Sequence, residues 1–242
     1  TYVAWCWDAG SSTVPNTQGS ITSQVRANTS AGFSIVTYTG TGANASVGHG
    51  LGVAPSLIII KARTQATPRH WAVYHRSIGE TQILELSTTN GAQTANFWQN
   101  TAPTSTVFTL TSQGDVNAST YNYVAYCFAP VDGYSSFGSY TGNGSTDGPF
   151  VFTGGFKPRW LMIKRSDSAG SFIIWDTSRT PYNLAEYALE ANSANAESSG
   201  WHIDLLSNGF KSRNTGTQYN QNGGTYIYAA FAESPFKYAR AR

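Results

Sequence analysis

Tyr123-Val124-Ala125-Tyr126-Cys127-Phe128-Ala129 is an apolar run that the chain writes three times. It stands near the start as Tyr2-Val3-Ala4-Trp5-Cys6-Trp7 and near the end as Tyr226-Ile227-Tyr228-Ala229-Ala230-Phe231-Ala232. Each copy is short, rich in aromatic and β-branched residues and bounded by Gly, Asn, Asp or Pro, which predicts a buried β-strand. Side chains alternate between two faces, so Val124, Tyr126 and Phe128 share one and Ala125, Cys127 and Ala129 share the other. The second face is small, as expected where another layer approaches closely.

Working outward from this run uncovers a duplication. Tyr38-Thr39-Gly40-Thr41-Gly42 returns as Tyr140-Thr141-Gly142-Asn143-Gly144, 102 residues on. Gly52-Val53-Ala54-Pro55, leading into Leu57–Lys61, returns 103 residues later as Gly155-Phe156-Lys157-Pro158, leading into Trp160–Lys164. Trp71–His75 corresponds to Phe172–Asp176, Leu84-Glu85 to Leu189-Glu190 and Phe108 to Phe210, and the repeated run closes each unit. Landmarks in one order at a nearly constant offset predict an all-β chain of two tandem, duplicated β-sandwich-like units of about 100 residues each. The expected boundaries are residues 33–132 and 133–236, with a basic tail at 237–242. Helical signal is weak; the Ala-rich stretch Leu184 to Ala196 could form a short helix.

The first copy of the run has almost nothing before it. Residues 1–8 therefore read as an orphan strand, the end of a preceding unit, and the Gly/Ser/Thr/Asn-rich residues 9–32 as a linker. Such a strand is an aggregation hazard unless it pairs with a sheet edge of this chain or of a neighbouring subunit. Tyr2, Trp5 and Trp7 are thus candidate assembly residues.

Composition narrows the class. Hydrophobic residues make up 40% of the 242, enough for a core, but charged residues only 12%, about half the usual share. A polar, uncharged surface suits extracellular or particle-borne β proteins. The net charge of +2 and the lack of a clustered basic stripe speak against a nucleic-acid partner. No apolar run approaches a membrane span. Cys6 and Cys127 occupy the same position of the repeated run, and the third copy has Ala230 there, so both read as buried, free, small packing residues.

Motifs for nucleophilic, metal or phosphate chemistry are missing, and nothing calls for a cofactor. Gly40-Thr41-Gly42 and Gly48-His49-Gly50-Leu51-Gly52 precede no helix start and read as turns at positive φ. His49, His70, His75 and His202 lack metal-ligand spacing. Asp176 and Asp204 are conceivable as a carboxylate pair, but His75 stands at the position matching Asp176. Asp115 and Asp147 sit in loops without the alternating acids of a calcium site. The positive signal is aromatic. Trp98, Tyr182, Trp201 and Tyr219 fall in loop-like contexts beside Asn, Gln and Gly, where exposed rings can stack on sugars, making them candidate glycan-binding residues.

Several stretches resemble one family: Tyr2–Trp7 with its linker, Ala31–Gly40, Gly48–Pro55, Val124–Ala129, Phe137–Gly144, Leu205–Lys211 and Ser234–Lys237. Together they cover essentially the whole chain. The family is the C-terminal region of virion structural proteins, often called tail-fibre proteins, of tailed phages, many from aquatic bacteria. The resemblance implies a virion component outside the cell, with other virion proteins as partners and a homo-oligomer, a trimer being one fitting number. It supplies no catalytic or binding residues. The expected function is host attachment through multivalent contacts with a surface glycan. A purely structural virion spacer or decoration protein and a secreted bacterial glycan-binding module or adhesin are the alternatives.

Overall fold

The computed structural model describes residues 2–64 and 68–232. The first unit runs through β1 (Val14–Asn16), β2 (Ser23–Asn28), β3 (Phe33–Thr39), β4 (Ala45–Gly48), β5 (Leu57–Ala62), β6 (Ala72–His75), β7 (Gln82–Glu85), β8 (Gln93–Thr94) and β9 (Val107–Leu110). A single helical turn, α1 (Gly114–Asn117), then leads into β10 (Asn122–Phe128). The second unit repeats the scheme with β11 (Ser135–Thr141), β12 (Phe150–Phe152), β13 (Pro158–Arg165), β14 (Phe172–Asp176), β15 (Leu189–Glu190), β16 (Ile203–Leu206) and β17 (Gly209–Ser212). It closes through α2 (Thr217–Asn220) and β18 (Thr225–Ala232).

All ladders between these strands are antiparallel. The large sheet of the first unit has the order β1-β2-β3-β10-β5-β6-β7-β8, and that of the second β11-β18-β13-β14-β15. Each carries a smaller sheet on its outer face, β4-β9 and β12-β17-β16 respectively. Alternation along the strands sets the layers. Tyr123, Ala125 and Cys127 of β10, with Ile58 and Ile60 of β5, face the core under β4-β9. Tyr226, Tyr228 and Ala230 of β18, with Leu161 and Ile163 of β13, face the core under β12-β17-β16. The opposite faces meet in a third core: Phe128, Leu57 and Val73 from the first unit against Ile227, Phe231, Trp160 and Met162 from the second. The two large sheets are therefore apolar on both faces, which is why their strands read as unbroken apolar runs.

Polar contacts also join the units. His75 Nε2 lies 3.2 Å from the Tyr228 carbonyl. Lys164 Nζ donates to the carbonyls of Gly170 and Thr89, and Ala92 N to Ser166 O. Burial first, then the neighbouring Arg165, lowers the Lys164 ammonium to about 8.

The Tyr-Thr-Gly-x-Gly repeat has a bonding logic. Tyr38 and Tyr123 stack with centroids 5.3 Å apart, and Tyr140 and Tyr226 at 5.1 Å. Tyr38 donates to Val116 O and Tyr140 to Tyr219 O, both at 2.6 Å. Within each helical turn a fully buried Asn holds the loop after the tyrosine: Asn117 Oδ1 accepts Thr41 N and its Nδ2 donates to Ala43 O. Asn220 does the same with Asn143 N and Ser145 O. Gly42 and Gly144 supply the positive φ. Gly40 and Gly142 answer a different need, because a Cβ there would sit 2.2 Å from Ala118 O or 2.3 Å from Gln221 O.

Four expectations are corrected. Residues 9–32 do not form a linker; they contain β1 and β2, which extend the first large sheet beyond β3. Tyr2–Trp7 forms no strand and no ladder with the described residues. Instead Trp7 packs edge-on against Phe128, Trp160 and Phe231, and Trp5 against Trp160, so these rings wedge into the mouth of the third core. Tyr2 is fully exposed. Without a ladder Cys6 is exposed, whereas Cys127 is buried as expected; both are free. The stretch from Leu184 to Ala196 is not helical. Ala185 bridges Ile203 of β16, Ala188 bridges Ser198, and Leu189–Glu190 form β15 beside β14. The basic tail lies outside the described residues.

Candidate functional site

Of the four candidate glycan-binding aromatics only Trp201 and Tyr219 come together. Trp98 is buried: its indole lies edge-on to Tyr74 at 5.7 Å and its Nε1 donates to Gln82 O at 3.1 Å. The loop around it turns inward, with Thr109 Oγ1 donating to Trp98 O. Tyr219 is buried too, edge-on to Trp175 at 5.6 Å. Both are core residues, and the expectation that they stand exposed is wrong. Tyr182 is 83% exposed. Trp201 is half-buried.

Trp201 organises a polar depression that Tyr219 also lines. Its backbone N donates to Glu186 O at 3.0 Å, and its carbonyl accepts Trp175 Nε1 at 2.8 Å. Its own Nε1 donates to Ser198 Oγ at 2.7 Å. Across from it, Asn214 Nδ2 ties the wall to Gly200 O at 3.0 Å. The resulting cleft of about 340 Å3 is lined by Ser198, Ser199, Gly200, Trp201, Asn214, Gly216, Thr217, Gln218 and Tyr219. Tyr219 forms part of the wall, tilted against Trp201 at 6.0 Å. Its hydroxyl stands by the His202 backbone without reaching hydrogen-bond geometry, and burial pushes it up to about 12. An indole ring can stack on a sugar while the neighbouring hydroxyl and carboxamide groups bond its hydroxyls. The lining contains no carboxylate or imidazole, so it offers no general acid or base of the usual kind.

Trp98 and Trp201 occupy matching places 103 residues apart. Their neighbours decide the difference: Tyr219 stands where the first unit has the smaller Val116, and the first-unit indole sinks into the core. The polar lining residues Ser198, Asn214 and Gln218 were not legible beforehand, because Ser, Asn and Gln are common throughout this chain. Asn117 and Asn220 were legible in principle, since they fall in matching places 103 residues apart.

A second cavity, of about 420 Å3, opens between the units behind Trp5 and Trp7. Its floor includes the cross-strand row Ile35, Tyr126 and Ile59. The lining is almost wholly apolar and belongs to the third core.

The acids considered for chemistry are engaged separately. Asp176 Oδ1 accepts Ser178 N and Arg179 N; its Oδ2 accepts Arg179 Nε at 2.6 Å and Trp5 Nε1 at 3.2 Å. Burial alone would raise its pKa, but these bonds and the Arg179 charge hold it below the usual carboxylate range. Asp204 pairs with Arg213 at 2.8 Å, and Asp147 with Lys211 at 2.6 Å. Asp115 accepts His70 N. No group of three or more His, Cys, Asp or Glu among the described residues is placed to hold a metal ion.

The fold and cleft define an all-β protein of two fused sandwich-like units. It belongs to the family described as a domain of unknown function, DUF7483, whose model matches residues 1–235. No curated protein and no solved structure matches the chain.

Proposed function

We propose that this chain is a virion structural protein, a tail fibre or surface appendage, that contributes to host-cell attachment from outside the cell. Attachment would rest on weak glycan contacts multiplied over the copies on one particle. The observation that carries this reading is the cleft beside Trp201, where a half-buried indole meets Ser, Asn, Thr and Gln groups. The low charge of the chain and its resemblance to phage virion proteins support the setting. In this reading the chain is not an enzyme and works as a homo-oligomer among other virion proteins.

The test is binding of the isolated chain to host cells and to purified envelope glycans, with Trp201→Ala as the comparison. Loss of binding in the variant at a temperature where it is still fully folded supports attachment. Full binding by the variant removes the cleft from the reading. Release of reducing ends from the polysaccharide would overturn the non-enzymatic part. A purely structural spacer is the second reading, favoured by the burial of Trp98 and Tyr219. It predicts no cell or glycan binding by either form.

A further inference from the structure

The duplication makes the first unit a template for the second, and the two differ at one edge. In an antiparallel pair, alternate residues turn both backbone groups toward one neighbour and the next toward the other. Ala129 N donates to Gly32 O and Gly40 N to Tyr121 O, which sets the phase of β3 against β10. Ile35 and Thr37 therefore offer their groups to the other side, where β2 places Arg26 and Gln24 opposite them. In the second unit, Ala232 N donates to Tyr134 O and Gly142 N to Gly224 O, fixing the same phase for β11 against β18. Phe137, Ser139 and Thr141 thus turn their N–H and C=O groups away from β18. Among the described residues no strand lies on that side.

The arm formed by residues 14–28 also closes the small sheet of the first unit. Ile21 N donates to Ser46 O and Ser23 Oγ to Gly48 O, each at 3.0 Å. The matching acceptors in the second unit are the Phe150 and Phe152 carbonyls, on the outer edge of β12, where Phe152 O already accepts a long bond of 3.4 Å from the Tyr228 hydroxyl. A Cβ on Gly50 would meet Val25 Cγ1 at 2.8 Å, whereas one on the matching Gly154 would meet nothing within 4 Å. Phe152 is 59% exposed where the first unit has a buried glycine, Gly48, under Asn16.

The remaining ends of the large sheets are blunted. β1 has three residues including Pro15, and β8 and β15 have two each. β11 has seven, without a charge or a proline. A long, uncharged edge is the arrangement that accepts an added strand.

We propose that β11 is a strand-addition site for an extended polypeptide segment of a second molecule, carrying small side chains at alternate positions as β2 does with Ser23, Val25 and Ala27. The segment pairs with Phe137, Ser139 and Thr141 and lays its inner side chains toward Phe152 and Gly154. This surface is separate from the Trp201 cleft and does not depend on the glycan reading.

The experiment adds a synthetic peptide of residues 13–28, at millimolar concentration, to the whole chain and follows backbone amides by NMR and hydrogen exchange. Expected are shifts and slowed exchange at Phe137, Ser139, Thr141 and Gly154, with Ile35 and Thr37 unmoved. Ser139→Pro removes an outward donor and leaves the β18 ladder intact, so it should abolish the response. Ser139→Lys is the second variant should the proline disturb folding. A peptide carrying Val25→Lys should give no response. The proposal is overturned if the wild-type amides stay unmoved or the lysine peptide acts equally well. It is also overturned if the wild type is a dimer that Ser139→Pro makes monomeric and the peptide cannot compete, because the edge then belongs to a second β11.

Discussion

His75 of the first unit donates its Nε2 proton to the Tyr228 carbonyl of the second unit, and its Nδ1 accepts the Ser77 N–H, both at 3.2 Å. Both ring nitrogens are thus satisfied in the neutral form. A second proton would set two donors against each other at Nδ1. Burial, aided by the Arg76 charge and opposed by the bond to Tyr228, lowers this histidine to about 4. An unfolded histidine titrates near 6.5, so between about pH 6.5 and 4 the unfolded chain binds a proton that the folded chain refuses. This contribution is full above about pH 6.5 and drains away as pH falls, by at most roughly 3 kcal/mol. Burial shifts His49 in the same direction. Urea midpoints at neutral pH and near pH 4.5 check this, and His75→Gln should flatten the dependence. A midpoint unchanged across that range would contradict the assignment.

The buried asparagines predict matched losses. Asn117→Ala removes the bonds to Thr41 N and Ala43 O, and Asn220→Ala those to Asn143 N and Ser145 O. Each removes two bonds from a fully buried carboxamide to a loop that is itself partly exposed, and should cost about 1–3 kcal/mol. Thermal melts measure the loss; amide exchange should show the neighbouring Gly42 or Gly144 opening in the variant of its own unit.

Trp7 touches Phe128 from one unit and Trp160 and Phe231 from the other. Trp7→Ala should destabilise by about 2–4 kcal/mol, the lower part of the range reflecting its partial exposure. Trp5→Phe keeps the packing and loses the bond to Asp176, a smaller effect of about 1 kcal/mol. Equal stability of wild type and Trp7→Ala in denaturant titrations would show that the segment is an ornament.

Repetition made most of this architecture readable. Two units, the succession of strands along each and their closing runs follow from landmarks about 102 residues apart, because each landmark holds a bond or a layer that both units need. The arm was unreadable for the opposite reason. A strand such as β2 buries only Ser23 and Val25 fully, with Ala27 half-buried, so its composition is that of a loop. Tyr2–Trp7 misled in another way. Trp5 and Trp7 pack against the third core while Tyr2 and Cys6 stand exposed, because a ladder needs a neighbour with free backbone groups, and composition does not reveal one. Trp98 and Tyr219 misled because a polar neighbourhood in sequence says nothing about which way a loop folds, and both turn inward.

The paired indoles separate stability from recognition. Trp98→Ala should cost about 3–5 kcal/mol, as for any large aromatic removed from a core. Trp201→Ala should cost about 1–2 kcal/mol, because the ring is only half-buried. Denaturation midpoints of the two variants measured together decide whether the matching positions have diverged in this way.

The thiols should differ in rate. Burial pushes Cys127 up to about 12, whereas Cys6 is exposed. A thiol reagent at neutral pH should modify one cysteine quickly and the second only in denaturant. Rapid modification of both would mean that the first large sheet opens readily.

The third core has a consequence for how the two halves relate. Each unit turns a whole apolar face of its large sheet toward the other, so neither is complete in water by itself. They are a heterodimer that happens to share a chain. A nick between Ala129 and Tyr134 should leave the fragments bound together, and each half produced alone should gather its missing mate or aggregate for want of it.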